Sequence, residues 1–108
     1  MQKDNLRSVA ITTALGSGNN TIVAGGQLGT GIGSIRVWQV NIESSGAETI
    51  SPFSGSTAIP GKIVLLGAGN IVLQATGTPW MECRPGEALV WSLAAGTTLT
   101  GTIWYGLA

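Results

Sequence analysis

At 108 residues the chain fits one domain and leaves little room for a second. Its ten charged residues, five of each sign, make up 9% of the chain, where a soluble domain carries about 25%. Zero net charge with no cluster of Lys or Arg argues against a nucleic-acid partner, and one cysteine with no histidine excludes an internal disulfide and the usual Cys–His chemistry.

No charged side chain occurs from Ser8 to Ile35, nor from Ala88 to Ala108. A chain of this length buries only about 65% of its unfolded surface. Seventeen glycines thin the core further, because each one inside an element costs roughly 0.5–1 kcal/mol relative to alanine. The composition points to a protein covered by partners, with a Thr-, Ser- and Asn-rich surface as the alternative route to solubility. The opening "MQKDNLRSVAITTALG" holds a short apolar run, Val9 to Leu15, that contains Thr12 and Thr13 and follows Asp4, so it falls short of a signal sequence. No stretch approaches the roughly 20 apolar residues of a membrane span, and the expectation is synthesis in the cytoplasm of the cell that makes it, with no membrane partner.

Taken in chain order, the pattern is period-two alternation broken by glycine turns, which predicts strands. Residues 1–8 are expected to form an N-terminal arm and residues 9–108 a single domain. Val9, Ile11 and Thr13 form one face of a first strand, ended by "GSGNN" at residues 16–20. A short run, "TIVAG", leads into the loop "GQLGTGIGS", residues 26–34, which needs glycine's backbone freedom. In "IRVWQVNIE", Ile35 and Val37 point one way and Trp38, Val40 and Ile42 the other, predicting a bulge or a strand covered on both sides, with Trp38 in the core. "AETISPF" reads as a strand or an edge, because Pro52 cannot donate to a ladder. The runs Ile63 to Leu66 and Ile71 to Leu73, joined by "GAGN", read as a hairpin. Leu89, Trp91 and Leu93 share one face of a strand, as do Leu99, Ile103, Tyr105 and Leu107 of another, the two joined by "AAGT". Eight or nine short strands without a helix predict an all-β fold, a small antiparallel β-sandwich of jelly-roll-like form.

"TGTPWMECRPGEALVWSL", residues 76–93, concentrates the features that suggest chemistry. Cys83 lacks the histidine a thiol nucleophile needs, and Glu82, adjacent to it in a strand, points to the opposite face. Glu82 and Glu87 flank the turn "CRPG", where carboxylates are solvated, so a glycosidase pair is not expected. The glycine cluster Gly25, Gly26, Gly29, Gly31 and Gly33 has neither a Lys-Ser/Thr ending nor a following helix, and reads as a loop instead of a phosphate cradle. No transition-metal spacing appears, although a calcium ion on carbonyl oxygens stays open. No enzyme activity and no cofactor are expected. Trp91 belongs to the core, whereas Trp80 and Trp104 are candidates for an interface, for sugar stacking or for a second core layer.

"FSGSTAIPG" and "GNIVLQATGTPWMECRPGEALVWSLAAGTTLTGTIWYGLA" resemble small virion structural proteins of tailed bacteriophages, over residues 53–108. The resemblance implies that Pro85, Gly86 and Glu87 start a strand and that Leu89, Trp91, Ile103 and Tyr105 line the core. It also implies a capsid decoration, or cement, protein on the outer capsid surface of the virion, with the major capsid protein and further copies of itself as partners. A trimer is favoured over a dimer, because many decoration proteins cap three-fold sites. The expected contact residues are Lys3, Asp4 and Arg7 in the arm, Gly29 and Gly31 in the glycine loop, and Trp80 and Trp104. A head- or tail-fibre module or a lectin-like, glycan-binding domain is the alternative.

Overall fold

A computed structural model describes residues 6–11, 15–29, 31–95 and 97–108. Ten strands form among them: β1 (Arg7–Ile11), β2 (Gly18–Val23), β3 (Ile35–Ser44), β4 (Glu48–Ser54), β5 (Thr57–Ala58), β6 (Ile63–Leu65), β7 (Gly69–Gln74), β8 (Met81–Glu82), β9 (Leu89–Leu93) and β10 (Leu99–Leu107). The count exceeds the expected eight or nine because β5 and β8 are pairings of only two residues each. Arg7 and Ser8, expected in an arm over residues 1–8, pair with Tyr105 and Trp104 in β1, and residues 1–5 of that expected arm lie outside the described residues.

The strands form two antiparallel sheets packed into a sandwich. One runs β1-β10-β3-β7, with β8 following β7 along the same side of β3; the other runs β2-β9-β4-β5, with β6 also against β4. The first four strands alternate between sheets, while β1 lies against β10 and β2 against β9. This is an antiparallel ribbon rolled around one core, the jelly-roll arrangement. The loop between β2 and β3, the β4–β5 turn, the β8–β9 turn and the end of β10 all lie at one end of the sandwich, called here the near end.

Alternation builds the core. Leu89, Trp91 and Leu93 in β9, and Leu99, Ile103 and Tyr105 in β10, turn inward as expected, as do Val37, Val40 and Ile42 of β3. Each fully buried Leu or Ile contributes about 1.5–3 kcal/mol relative to an exposed one.

Three local expectations are corrected. Residues Gly18 to Asn20, expected in a turn, open β2. The bulge expected in β3 is present and Trp38 is buried as expected, but β10 pairs Tyr105 with Val37 and Trp104 with Gln39, so Trp38 is the extra residue of the bulge and lies outside the main core cluster. The bulge restores Val37 and Val40 to the same face, and the Arg36 guanidinium sits 6.0 Å from the centre of the Trp38 ring.

β4 is an interior strand, not an edge, pairing with β9 through Pro52↔Trp91. Proline is tolerated there because the Pro52 carbonyl, which accepts from Ile59 N at 2.9 Å, shows that its backbone faces the other side. On that side Pro52 falls between the segments paired with β6 and with β5, where no ladder donor is required. The runs Ile63–Leu66 and Ile71–Leu73 form no hairpin: β6 pairs with β4 in one sheet and β7 with β3 in the other. The connection between β9 and β10 also crosses between sheets.

Candidate interaction surfaces

Two of the expected contact regions meet at the near end. Arg7 Nη1 donates to Gln27 Oε1 at 3.3 Å, Tyr105 Oη donates to the same oxygen at 3.4 Å, and Gln27 Nε2 donates to Ala24 O at 2.9 Å. One amide therefore ties the first strand and the last strand to the glycine loop. Within the loop, Gly29 N donates to Gly26 O and Ile32 N to Gly29 O, consecutive tight turns that leave Leu28 50% and Ile32 56% exposed. Gly29 is half-buried and Gly31 exposed. Lys3 and Asp4, the other two arm candidates, lie outside the described residues.

The loop rests on the turn between β8 and β9, backbone against backbone. Gly86, with φ of 79°, donates its N–H to Gly33 O at 3.1 Å, and a side chain on Gly86 would meet Gly31 N at 2.6 Å. Glycine there permits both the positive φ and the close approach. The expected strand start at Pro85 to Glu87 is instead this turn, closed by Glu87 N donating to Arg84 O at 3.1 Å, with β9 beginning at Leu89.

Of the residues weighed for catalysis, Glu87 and Cys83 are tied to that turn. Ser54, buried at the end of β4, accepts from Arg84 N at 2.8 Å and donates to Glu87 Oε1 at 2.6 Å. Cys83 is buried and its thiol faces Ala88 O at 3.7 Å. Burial pushes that thiol up to about 11, the negative charges of Glu87 and Glu82 add to the rise, and a hydrogen bond with Ser54 opposes it. A thiol held protonated at neutral pH is no nucleophile. Glu82 is exposed, paired in register with Arg36.

The opposite end of β4 carries a second buried polar residue that the sequence reading passed over. Glu48 accepts from Ala95 N at 2.9 Å, Thr49 N at 3.0 Å and Thr97 Oγ1 at 2.9 Å, anchoring the β9–β10 connection. Burial would raise its pKa, but these hydrogen bonds outweigh it and hold the carboxyl below its ordinary value. The available signal was parity, since Glu48 lies two and four residues before the inward-facing Ile50 and Pro52.

The two candidate tryptophans do not converge. Trp104 is half-buried on the outer face of its sheet, between Ser8 of β1 and Gln39 of β3. Trp80 is 47% exposed on the open edge of the sandwich, its backbone N–H donating to Val37 O at 2.8 Å. There it forms the rim of a mostly apolar groove of about 260 Å³ whose walls include Lys62, Ile63 of β6, Ile71 and Leu73 of β7, and Met81 of β8. Residues 63–81 carry no charged side chain. Val64, Leu66 and Val72 also stand exposed along this edge. The sequence reading missed the groove because a β6–β7 hairpin would have closed the edge that the real sheet-crossing connection leaves open.

Among the described residues no group of His, Cys, Asp and Glu is placed to hold a metal ion, and no helix is long and apolar enough to cross a membrane. Compared with known proteins, the chain matches no protein family, no curated protein and no solved structure.

Proposed function

We propose that this protein is a non-enzymatic virion structural protein that binds the outer surface of a phage capsid and stabilises it by bridging major capsid protein subunits. The observation that carries the reading is the distribution of exposed apolar side chains on a domain with few charges. Leu6, Leu28 and Ile32 stand at the near end, while Val64, Leu66, Val72 and Trp80 follow the β6–β8 edge. A bridging protein must hold two neighbours at once, and two separate apolar surfaces on an 11.0 kDa domain suit that task. The jelly roll is an architecture that recurs in viral capsid domains, which raises the reading by fold-level analogy. The structural roles of Cys83, Ser54 and Glu87 support a non-enzymatic protein.

Association with a shell would also stabilise a thin core by mass action. The test is sedimentation of the purified protein with expanded, DNA-free shells of the parent phage. Co-sedimentation at a fixed copy number per shell is expected; protein left in the supernatant at saturating concentration would overturn the reading.

A lectin-like reading has one observation of its own. Trp80 borders a second hollow, of about 500 Å³, lined by Gln74, Thr76 and Thr78, an aromatic beside hydrogen-bonding groups as sugar sites require. It predicts saturable glycan binding that is lost in Trp80→Ala; a glycan array without signal would remove it.

A further inference from the structure

We infer that the free edge of β7 pairs with β7 of a second copy, antiparallel across a two-fold axis, so that two sandwiches share a continuous sheet. Exposed sheet edges are normally blunted by charge, proline, bulges or brevity, because their unpaired N–H and C=O groups template further strands. The other edges show such devices: β1 opens with Arg7, β2 shifts register between Thr21 and Val23, and β5 and β6 are two and three residues long. β7 has none of them. Its six residues, Gly69–Gln74, carry no charge and no proline, and pair with β3 in unbroken register.

The register of a second copy follows from backbone direction. Ala75 N donates to Trp38 O, so alternate residues back along β7 (Leu73, Ile71 and Gly69) also direct their backbone groups to β3. Asn70, Val72 and Gln74 therefore direct theirs to the open side. A two-fold axis at Val72 pairs Val72 with Val72 of the second copy and Asn70 with its Gln74, all hydrogen-bonded pairs. The same register sets valine against valine, amide against amide on the outer face, and Ile71 against Leu73 on the groove side. Moving the axis to Ile71 keeps the backbone bonds but sets Asn70 against Val72, a poorer match of side chains. The edge is thus complementary to itself, which is what an isologous contact requires. No like charges oppose the pairing, since residues 63–81 hold none.

This goes beyond the bridging reading and leaves the near end for the shell: antiparallel pairing about Val72 reverses the strand direction, so the two near ends face opposite ways. It is a different closure from the trimer that the family resemblance implies. The test needs no shell. Sedimentation velocity of the purified chain is expected to show a particle of twice 11.0 kDa that Val72→Lys converts to monomer while the circular dichroism spectrum is retained. Val72 is 53% exposed, so the lysine has room in the monomer but meets its own copy across the axis. Val72→Cys is expected to form a covalent dimer under mild oxidation, the Cα spacing of about 5.5 Å across such a pair being suitable for a disulfide, whereas Asn70→Cys is expected not to. A monomer or trimer in the parent protein, a dimer indifferent to Val72→Lys, or cross-linking of Asn70→Cys in place of Val72→Cys would each overturn the pairing. None of these results bears on co-sedimentation with shells, so the two proposals fail separately.

Discussion

Glu48 accepts a hydrogen bond from the Thr97 hydroxyl at 2.9 Å across a sequence separation of 49 residues. The bond joins the start of β4 to the connection that carries the chain from β9 in one sheet to β10 in the other. Ser44 strengthens the same corner, donating to Gly46 O at 2.7 Å with Thr97 Oγ1 3.4 Å from its hydroxyl.

Stability should therefore depend on acid through Glu48. Its carboxyl is held below the ordinary value of 4.5, so the folded state binds that proton less readily than the unfolded chain. The resulting stabilisation is fully present above the ordinary value and is lost as pH falls through the lower folded-state value. Melting temperatures measured between neutral pH and pH 3 are expected to fall more steeply in the parent protein than in Glu48→Gln. At neutral pH, Glu48→Ala is expected to cost about 1–3 kcal/mol, because it strands buried donors. Parallel acid profiles for parent and Glu48→Gln would contradict this role.

Gly101 sits in β10 with φ of 148°, and an added Cβ would overlap the Asn41 carbonyl oxygen and lie 2.7 Å from Ile42 Cα. Gly101→Ala is expected to cost about 3 kcal/mol or more, overpacking and backbone strain acting together. Gly77 meets nothing within 4 Å and has no positive φ, so Gly77→Ala is expected to be neutral or stabilising by about 0.4–1 kcal/mol. Urea unfolding of the two variants separates the outcomes.

Cys83 is expected to resist thiol reagents in the folded protein at pH 8 and to react fully in denaturant. The buried thiol, raised to about 11, presents almost no thiolate at that pH. Rapid labelling of the native protein would place Cys83 at an opening surface instead of in the core.

The near end is expected to carry the grip on the shell. Leu28→Ser with Ile32→Ser removes two side chains that are 50% and 56% exposed, and should leave the melting temperature nearly unchanged. Loss of two apolar anchors should weaken shell binding at least tenfold, about 1.4 kcal/mol. Unchanged binding would move the contact away from the glycine loop.

Much of this architecture was legible in the chain because alternation is a local property. Leu89, Trp91 and Leu93, then Leu99, Ile103 and Tyr105, announced their strands and their buried face without reference to anything distant. The glycine loop announced itself too. Parity placed Glu48 on the inward face as well, a signal the sequence reading passed over.

What only the tertiary structure decided was which strand lies beside which. Both sheets turn an apolar face to one core, so period two gives a strand's face but not its sheet, and β6 and β7 read as a hairpin although they belong to opposite sheets. The bulge at Trp38 was legible in the change of face after Val37, but the strand that sets it, β10, was not. Pro52 could sit inside a sheet because the gap between β5 and β6 falls opposite it. The meeting of Arg7 with Gln27 and the open edge of β7 have the same origin: strand pairing is non-local, and the composition of a segment does not encode the neighbour it will find.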